Sequence, residues 1–155
     1  IVGTAGNDTL RGTTANDQIT GLGGSDISSG SAGNDVYYFD DRWGQDTVDE
    51  PATQKVRVKR NGKWVLKTVP GGSDTLNFSQ MSAFVDARLI PQWGSLFHRA
   101  ISGGDQVDLG TSRVENVTGG TGGDLIETGS GRNTLQPGGG ALDQLFDYGG
   151  GQTPV

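Results

Sequence analysis

The sequence has no cysteine, a single methionine and a single histidine. Without cysteine, neither disulfide bonds nor thiolate metal sites are available to the chain. A lone histidine such as His98 is far more often an ordinary surface or core residue than a zinc ligand or a catalytic base. Basic residues are scarce as well, and the formal net charge is -6. This balance argues against nucleic acid as a partner, because nucleic-acid binding favours a basic surface.

Long apolar stretches are also missing. Hydrophobic residues make up only 32% of the 155 residues, and no stretch approaches the roughly 18 consecutive apolar residues of a membrane span. We therefore predict that the chain has no membrane span. Its first residues, Ile1-Val2-Gly3, enter a repeated pattern at once, so we expect the chain to be a segment of a longer protein. The 155 residues are enough to bury one core.

Glycine and aspartate are abundant by contrast. The chain has 28 glycines, and 15 of its 18 acidic residues are aspartate. So much glycine would indicate a flexible linker or disorder if it followed no period. Aspartate has a shorter side chain than glutamate and suits a carboxylate that is fixed within a tight loop. The composition therefore points to glycine-rich loops that carry carboxylates.

A nine-residue unit occurs four times over residues 3–38, as GTAGNDTLR, GTTANDQIT, GLGGSDISS and GSAGNDVYY. Every copy begins with glycine and has aspartate at position six. These aspartates are Asp8, Asp17, Asp26 and Asp35. A fixed period indicates a stacked repeat architecture, because one such unit cannot bury its apolar residue alone.

Within each copy, positions one to six are turn formers and the last three residues form a short strand. Position eight carries the inward apolar residue, which is Leu10, Ile19 or Tyr37. In the third copy Ser28 takes this position, so we expect a thinner core or a shifted register there. Two units make one coil, and stacked coils build two parallel sheets whose apolar side chains meet.

Stacking brings Asp8 beside Asp26 on one edge and Asp17 beside Asp35 on the other. Like charges in adjacent turns repel each other, so we expect a cation between them. Carboxylate and carbonyl oxygens without histidine or cysteine are a calcium-type donor set. The alternative is that the aspartates only form Asx turns; their regular register, each after Asn or Ser, favours the metal.

The pattern G-x-x-G-x-D-x-U-x closely resembles the RTX (repeats-in-toxin) calcium-binding nonapeptide of hemolysin type. The resemblance is dense over residues 3–49 and intermittent beyond them. It implies an all-β fold, a parallel β-roll (a right-handed β-solenoid of nonapeptide repeats), with Ca²⁺ between each loop and the loop two repeats on. It also implies the ligands: carbonyls of positions one and three from one loop, carbonyls of positions two and four from its partner, and both position-six aspartates.

Carried over by position, the resemblance implies two sites in the first four copies. The first set is Gly3, Ala5, Asp8, Leu22, Gly24 and Asp26. The second set is Gly12, Thr14, Asp17, Ser31, Gly33 and Asp35. A degenerate fifth copy, DRWGQDTVD at residues 41–49, gives a third set of Gly21, Gly23, Asp26, Arg42, Gly44 and Asp46.

The repeat returns further along the chain. Residues 69–78 place Asp74 at position six, where it could share a site with Asp35. Degenerate copies then begin at residues 119, 128 and 138. Asn133 replaces aspartate in the middle copy, whose edge should therefore bind calcium weakly or not at all. A fourth ligand set follows from the outer two copies: Gly119, Thr121, Asp124, Gly139, Ala141 and Asp143.

The segment Lys55 to Lys67, KVRVKRNGKWVLK, differs from the repeats. Asn61-Gly62 between alternating runs predicts a β-hairpin with a type I′ turn, which places Arg60 opposite Lys63 and Val58 opposite Val65. It holds six of the chain's 12 basic residues and no acidic one. The hairpin is either a solvated projection or a docking arm for an acidic neighbour, such as another copy or an adjoining module.

We predict one module, divided into an N-terminal β-roll (1–49), an inserted basic hairpin (50–70), connecting strands packed on the roll (71–118), a second degenerate β-roll (119–148) and a linker (149–155). The sequence has no HExxH or GxSxG motif and no phosphate-binding GKS/T loop, so we predict that it is not an enzyme. The resemblance implies a calcium-binding structural module of a secreted or cell-surface bacterial protein, exported by a type I system and folding on extracellular Ca²⁺. The alternative is a calcium-dependent self-assembling unit of an adhesin, surface layer or extracellular filament.

Overall fold

The computed structural model describes residues 1–51, 53–60, 62–83, 85–89, 99–102, 105–108, 114–130, 134–140 and 143–149. Within these ranges the regular elements are all strands, and none is a helix. The strands are β1 (Thr9–Arg11), β2 (Gln18–Thr20), β3 (Ile27–Ser29), β4 (Val36–Tyr38), β5 (Gln45–Val48), β6 (Thr53–Arg60), β7 (Lys63–Pro70), β8 (Thr75–Asn77), β9 (Asp86–Leu89), β10 (Arg99–Ser102), β11 (Asp105–Asp108), β12 (Asn116–Thr118), β13 (Leu125–Ser130), β14 (Thr134–Gln136) and β15 (Gln144–Gly149). The predicted all-β class is confirmed.

Strands from alternate repeats pair in parallel, as the nine-residue period predicts. The five-stranded sheet has the order β14-β12-β8-β4-β2 and is parallel throughout. The eight-stranded sheet has the order β1-β3-β5-β11-β10-β9-β13-β15. Its repeat strands are parallel, whereas β10 runs antiparallel to both β9 and β11. The sheets of the repeats are therefore parallel, and an antiparallel segment separates the two groups of repeat strands in the larger sheet.

The pairing register aligns the position-eight residues of alternate repeats. Ile19 pairs with Tyr37, and Tyr37 pairs with Leu76. Leu10 pairs with Ser28 in the same way. Ser28 is buried, while the preceding Ile27 is half exposed. The register is therefore unchanged in the third copy, and a small hydroxyl takes the place of an aliphatic side chain in the core.

Apolar side chains from both sheets form one core cluster. Its most buried members at position eight are Ile19, Tyr37, Leu76 and Ile126. Full burial of an aliphatic side chain of this size stabilises a fold by about 1.5–3 kcal/mol. Beside these rows lie three buried aromatic rings, Phe39, Trp43 and Phe78, with centroids 4.4–5.0 Å apart. The core is built by the repeat and completed by these rings.

Strands β6 and β7 form a separate antiparallel sheet of two strands. Arg60 pairs with Lys63 and Val58 with Val65, so the predicted hairpin and its register are confirmed. Gly62 has a φ of 76°, as a type I′ turn requires. Asn61, His98, Asn133 and Ala141 lie outside the described residues, and of the predicted linker only Gly149 is described, at the end of β15.

Candidate metal centres

The position-six aspartates form a hydrogen-bonded ladder at the edge of the eight-stranded sheet. The Asp8 amide donates to Asp26 Oδ1 (2.9 Å), and the Asp26 amide donates to Asp46 Oδ1 (3.0 Å). Each aspartate lies at or next to the start of its strand, so parallel pairing of β1, β3 and β5 places the carboxylates one above another. Asp46, from the degenerate fifth copy, continues the ladder of Asp8 and Asp26.

A second ladder follows the five-stranded sheet. The Asp17 amide donates to Asp35 Oδ1 (2.7 Å), and the Asp35 amide donates to Asp74 Oδ1 (2.9 Å). The Asp74 amide in turn donates to Glu115 Oε2 (2.9 Å). Asp74 therefore stacks on Asp35, although 39 residues separate them. Glu115, which the sequence pattern did not indicate, ends the described part of this ladder.

The C-terminal copies repeat the arrangement. The Asp124 amide donates to Asp143 Oδ1 (2.9 Å), and Asp124 Oδ1 accepts from the Val85 amide (3.0 Å). The Gly139 amide donates to the Gly120 carbonyl (2.9 Å), which holds the two loops together. The structure thus places Asp124 beside Asp143, as the sequence predicts.

Asparagine at position five forms a parallel set of bonds that the sequence reading missed. Asn7 Oδ1 accepts from the Ser25 amide (2.9 Å), and Asn16 Oδ1 accepts from the Asn34 amide (2.9 Å). Asn34 Oδ1 accepts from the Ser73 amide (3.0 Å). Asparagine at position five in three of the first four copies is the sequence signal for this role, beyond its use as a turn former. These bonds satisfy loop amides without using the carboxylates.

The second carboxylate oxygen divides the aspartates into two groups. In the outermost loops, Asp8 Oδ2 accepts from the Thr4 amide and Asp17 Oδ2 from the Thr13 amide, both at 2.6 Å. In the next loops, Asp26 Oδ2 and Asp35 Oδ2 are buried and have no hydrogen-bond partner among the described residues. A buried carboxylate oxygen without a hydrogen-bond partner is costly, so these two oxygens fit the binding of a cation.

The backbone changes at the same two loops. Leu22 and Ser31, at position two, have φ values of 75° and 84° and are the non-glycine residues with positive φ in the described chain. Both contribute a carbonyl to the ligand sets that the resemblance implies. Non-glycine residues in this region are strained and are held there by their surroundings, often at ligand sites. These loops therefore combine carbonyl groups of residues in a strained backbone conformation with buried carboxylate oxygens that have no hydrogen-bond partner among the described residues. Such a set of oxygen atoms fits a hard cation such as Ca²⁺.

The loops of the third and fourth repeats approach the loops two repeats earlier too closely for a side chain at their own position four. A Cβ at Gly33 would stand 2.6 Å from the Ala15 carbonyl oxygen, and Gly33 has a φ of 125°. A Cβ at Gly24 would stand 2.8 Å from the carbonyl of Gly6. Carbonyl and carboxylate oxygens of the paired loops therefore lie close together in the narrow space between the two loops.

The structure brings together the loops that carry each of the four ligand sets. The aspartate hydrogen bonds described above join the loop of the first repeat to that of the third, and the loop of the second repeat to that of the fourth. In the third ligand set, the Arg42 carbonyl oxygen lies 3.2 Å from where a Cβ of Gly23 would stand. The fourth set is placed only in part, because Ala141 is outside the described residues. The individual ligand atoms remain predictions.

Burial controls the electrostatics of the ladders. It raises the pKa of Asp74 from 3.8 to about 7 and raises the pKa of Asp35, with the neighbouring Asp17 charge adding to the effect at Asp35. Burial also raises the pKa of Asp124 and of Glu50. Each of these groups is held in a low-dielectric environment close to other acids, so its charged form requires a compensating cation.

Parallel strands of alternate repeats, joined by loops that carry carboxylates, define the class: a repeat protein whose loops carry calcium-type donor sets. Residues 2–37 and 109–141 match the RTX calcium-binding nonapeptide repeat in four copies, so the chain carries RTX repeats and its cofactor is Ca²⁺. RTX repeats form a structural, non-catalytic module that is typical of secreted or extracellular bacterial proteins. No curated protein and no solved structure gives a significant match to the chain. In the described ranges, the structure contains no helix of the length and apolarity needed to cross a membrane.

Proposed function

We propose that the chain is a calcium-dependent structural module of a secreted or cell-surface bacterial protein. Its two repeat sheets would wind as a right-handed parallel β-roll, with Ca²⁺ between loops two repeats apart. Its role would be structural and not enzymatic. Export would occur through a type I system as an unfolded chain, with folding outside the cell.

One observation carries this proposal: Asp26 Oδ2 and Asp35 Oδ2 are buried within ladders of acids and have no hydrogen-bond partner among the described residues. A metal-free fold must desolvate these carboxylates without compensation, which costs free energy. A cation that binds only the folded form adds its binding free energy to folding. Scarce cytosolic calcium would leave the chain unfolded, and extracellular calcium at the ~10⁻⁴–10⁻³ M affinity of extracellular sites would fold it.

The test is circular dichroism of the purified chain with calcium, with a chelator, and after calcium is added back. We expect the β-sheet signal to be lost in chelator and restored by calcium. Magnesium at the same concentration is the control, because its smaller, octahedral coordination does not suit these loops. Retention of the full β-sheet signal in chelator would contradict calcium-driven folding.

A second candidate function is calcium-dependent self-assembly, and the hairpin favours it. The face of β6 that carries Lys55, Arg57 and Lys59 lies opposite Thr68, Leu66 and Trp64 of β7. Trp64 and Leu66 are each 66% exposed. The hairpin has six of the 12 basic residues and none of the 18 acidic ones, so the rest of the chain has 18 acids against six bases. A cationic, partly apolar face suits the acidic surface of another copy.

Sedimentation velocity in calcium tests this second function. We expect a larger species at low salt that dissociates at high salt, because the attraction is electrostatic. Arg57→Glu should abolish the larger species, whereas Lys67→Glu, on the opposite face of the hairpin, makes the same charge change and should retain it. A monomer at every salt and protein concentration would favour a purely structural module.

A further inference from the structure

Glu50 occupies a place in the stack where the first four repeats have glycine. Ser28 pairs with Val48, and the Asp49 amide donates to the Ser28 carbonyl (2.8 Å). Two residues beyond the paired serine and valine, Glu50 therefore lies at the level of Gly30, which is position one of its repeat. The Gly30 amide donates to Glu50 Oε1, which confirms that the two residues are adjacent.

The inserted hairpin interrupts this repeat. After β7 the chain rejoins the stack at Gly71, whose carbonyl accepts from the Gly33 amide (2.7 Å). Asp74 then stacks on Asp35 as a position-six residue. Glu50 and Gly71 are accordingly positions one and three of one repeat, and residues 51–70 stand in place of position two. Both ends of the hairpin enter the same loop.

Three carboxylates converge at this loop. Asp35, Glu50 and Asp74 are each at most 2% exposed, and one oxygen of each lies within 4.8 Å of the others. Glu50 Oε1 accepts from the Tyr37 hydroxyl as well as from the Gly30 amide, which fixes its side chain. Buried carboxylates at this separation cannot all remain charged unless a cation lies among them.

The carboxylate of Asp35 supplies an independent sign of a ligand. Its Oδ1 is engaged by the Asp17 amide, while its Oδ2 is buried and has no hydrogen-bond partner among the described residues. In the two outermost loops the position-two amide binds this oxygen. In the fourth loop that amide, from Ser31, donates to Glu50 Oε1 instead (3.3 Å). A Cβ on Gly30 would overlap Asp35 Oδ2, so this oxygen lies beside Gly30, whose amide donates to Glu50 Oε1.

We propose that Asp35, Glu50 and Asp74 bind a calcium ion at the base of the hairpin, with Glu50 as a carboxylate ligand from outside the repeat pattern. This inference rests on the proposed calcium-binding function and assigns it a further site. Three carboxylates make this site more negative than a site with two aspartates, and ligand charge is a main determinant of calcium affinity. Calcium at this site joins the residues before and after the hairpin, so its binding fixes the base of β6 and β7.

Calcium titration of the purified chain by calorimetry and native mass spectrometry tests the proposal. In Glu50→Gln the amide oxygen can still accept from Gly30 and Tyr37, while the charge is lost. We expect one calcium ion to bind about tenfold more weakly, or to be absent, in this variant. Asp49→Asn, at the adjacent exposed residue, makes the same charge change and should bind as the unmodified chain does.

Glu50→Gly restores the residue of the first four repeats and provides a second variant if glutamine prevents folding. Calcium should bind more weakly at this site in this variant as well, because the two aspartates remain and only the glutamate charge is lost. The Glu50 site would be overturned if Glu50→Gln and Asp49→Asn bound calcium with equal affinity and stoichiometry. If Glu50→Gln does not fold, Glu50→Gly takes its place in this comparison. Such a result would leave the proposed function intact. An unmodified chain that binds no calcium would overturn both.

Discussion

Asp26 and Asp8 should differ in how many calcium ions depend on them. Asp26 lies between Asp8 and Asp46 in its ladder and so takes part in two loop pairs. Asp8 is at the end of the ladder and takes part in one. Asparagine at either position retains a carbonyl oxygen at Oδ1, so Asp26→Asn preserves the acceptor for the Asp8 amide while it removes the charge.

The expected loss of unfolding free energy follows from the linkage between calcium binding and folding. A site at a calcium concentration of about ten times its Kd stabilises the folded chain by roughly 1.4 kcal/mol. Loss of two sites in Asp26→Asn should therefore cost about 3 kcal/mol, against roughly 1.4 kcal/mol for Asp8→Asn. For a domain of this size these losses correspond to a decrease in Tm of roughly 6–12 °C and 3–6 °C, respectively.

Thermal unfolding at a series of calcium concentrations measures both the loss and its cause. The dependence of the unfolding free energy on the logarithm of calcium concentration gives the number of ions bound on folding. This slope should decrease by about two ions in Asp26→Asn and by one in Asp8→Asn. Equal decreases in the two variants, or unchanged slopes, would refute the assignment of shared sites along the ladder.

Three further outcomes are expected. Leu76→Ala should destabilise the calcium-bound chain by about 2–5 kcal/mol in urea unfolding, because the side chain is fully buried in the core. Leu66→Ala, on the exposed hairpin, is the control and should change stability by less than about 0.5 kcal/mol. Similar losses in the two variants would contradict the assignment of Leu76 to the core. Gly33→Ala should cost about 1–3 kcal/mol, since φ is 125° and the Cβ would meet the Ala15 carbonyl, and Gly6→Ala, where the nearest atom is 3.8 Å away, is the control with little expected loss. Because burial raises the pKa of Asp74 from 3.8 to about 7 in the metal-free fold, that fold binds more protons than the unfolded chain in this range and loses stability as pH rises through it. Protons and calcium therefore both favour the fold through this carboxylate, so the calcium concentration at the folding midpoint should be lower at pH 5.5 than at pH 7.5, and a midpoint that is higher at pH 5.5 would contradict this coupling.

Much of the fold was predictable because the repeat is local and regular. Strands of alternate copies pair in the same sheet, so Asp8 meets Asp26 as Asp17 meets Asp35. The hairpin register was predictable for a similar reason, since its turn and the alternation of its strands lie within 13 residues. Where the signal is contained in adjacent residues, physical rules for turns and periods are sufficient.

The antiparallel strands β9 to β11 could not be placed from the sequence in the same way. Strand-like residues were evident there, but the pairing of β11 with β5 and of β9 with β13 joins segments far apart in the chain. No period relates these segments, and short alternating runs pair equally well in several arrangements. The order of strands was decided by the complete fold.

The sequence by itself determined the repeat, the two rows of aspartates and the calcium-type chemistry of the loops, because these follow from residue types at a constant spacing. Only the tertiary structure decided that Glu50 lies at position one of an interrupted repeat, beside Asp35 and Asp74. It also decided that Asp26 Oδ2 and Asp35 Oδ2 are buried without a hydrogen-bond partner among the described residues. The physical reason is that burial and proximity depend on loops that stack across an insertion, and no spacing along the chain encodes that contact.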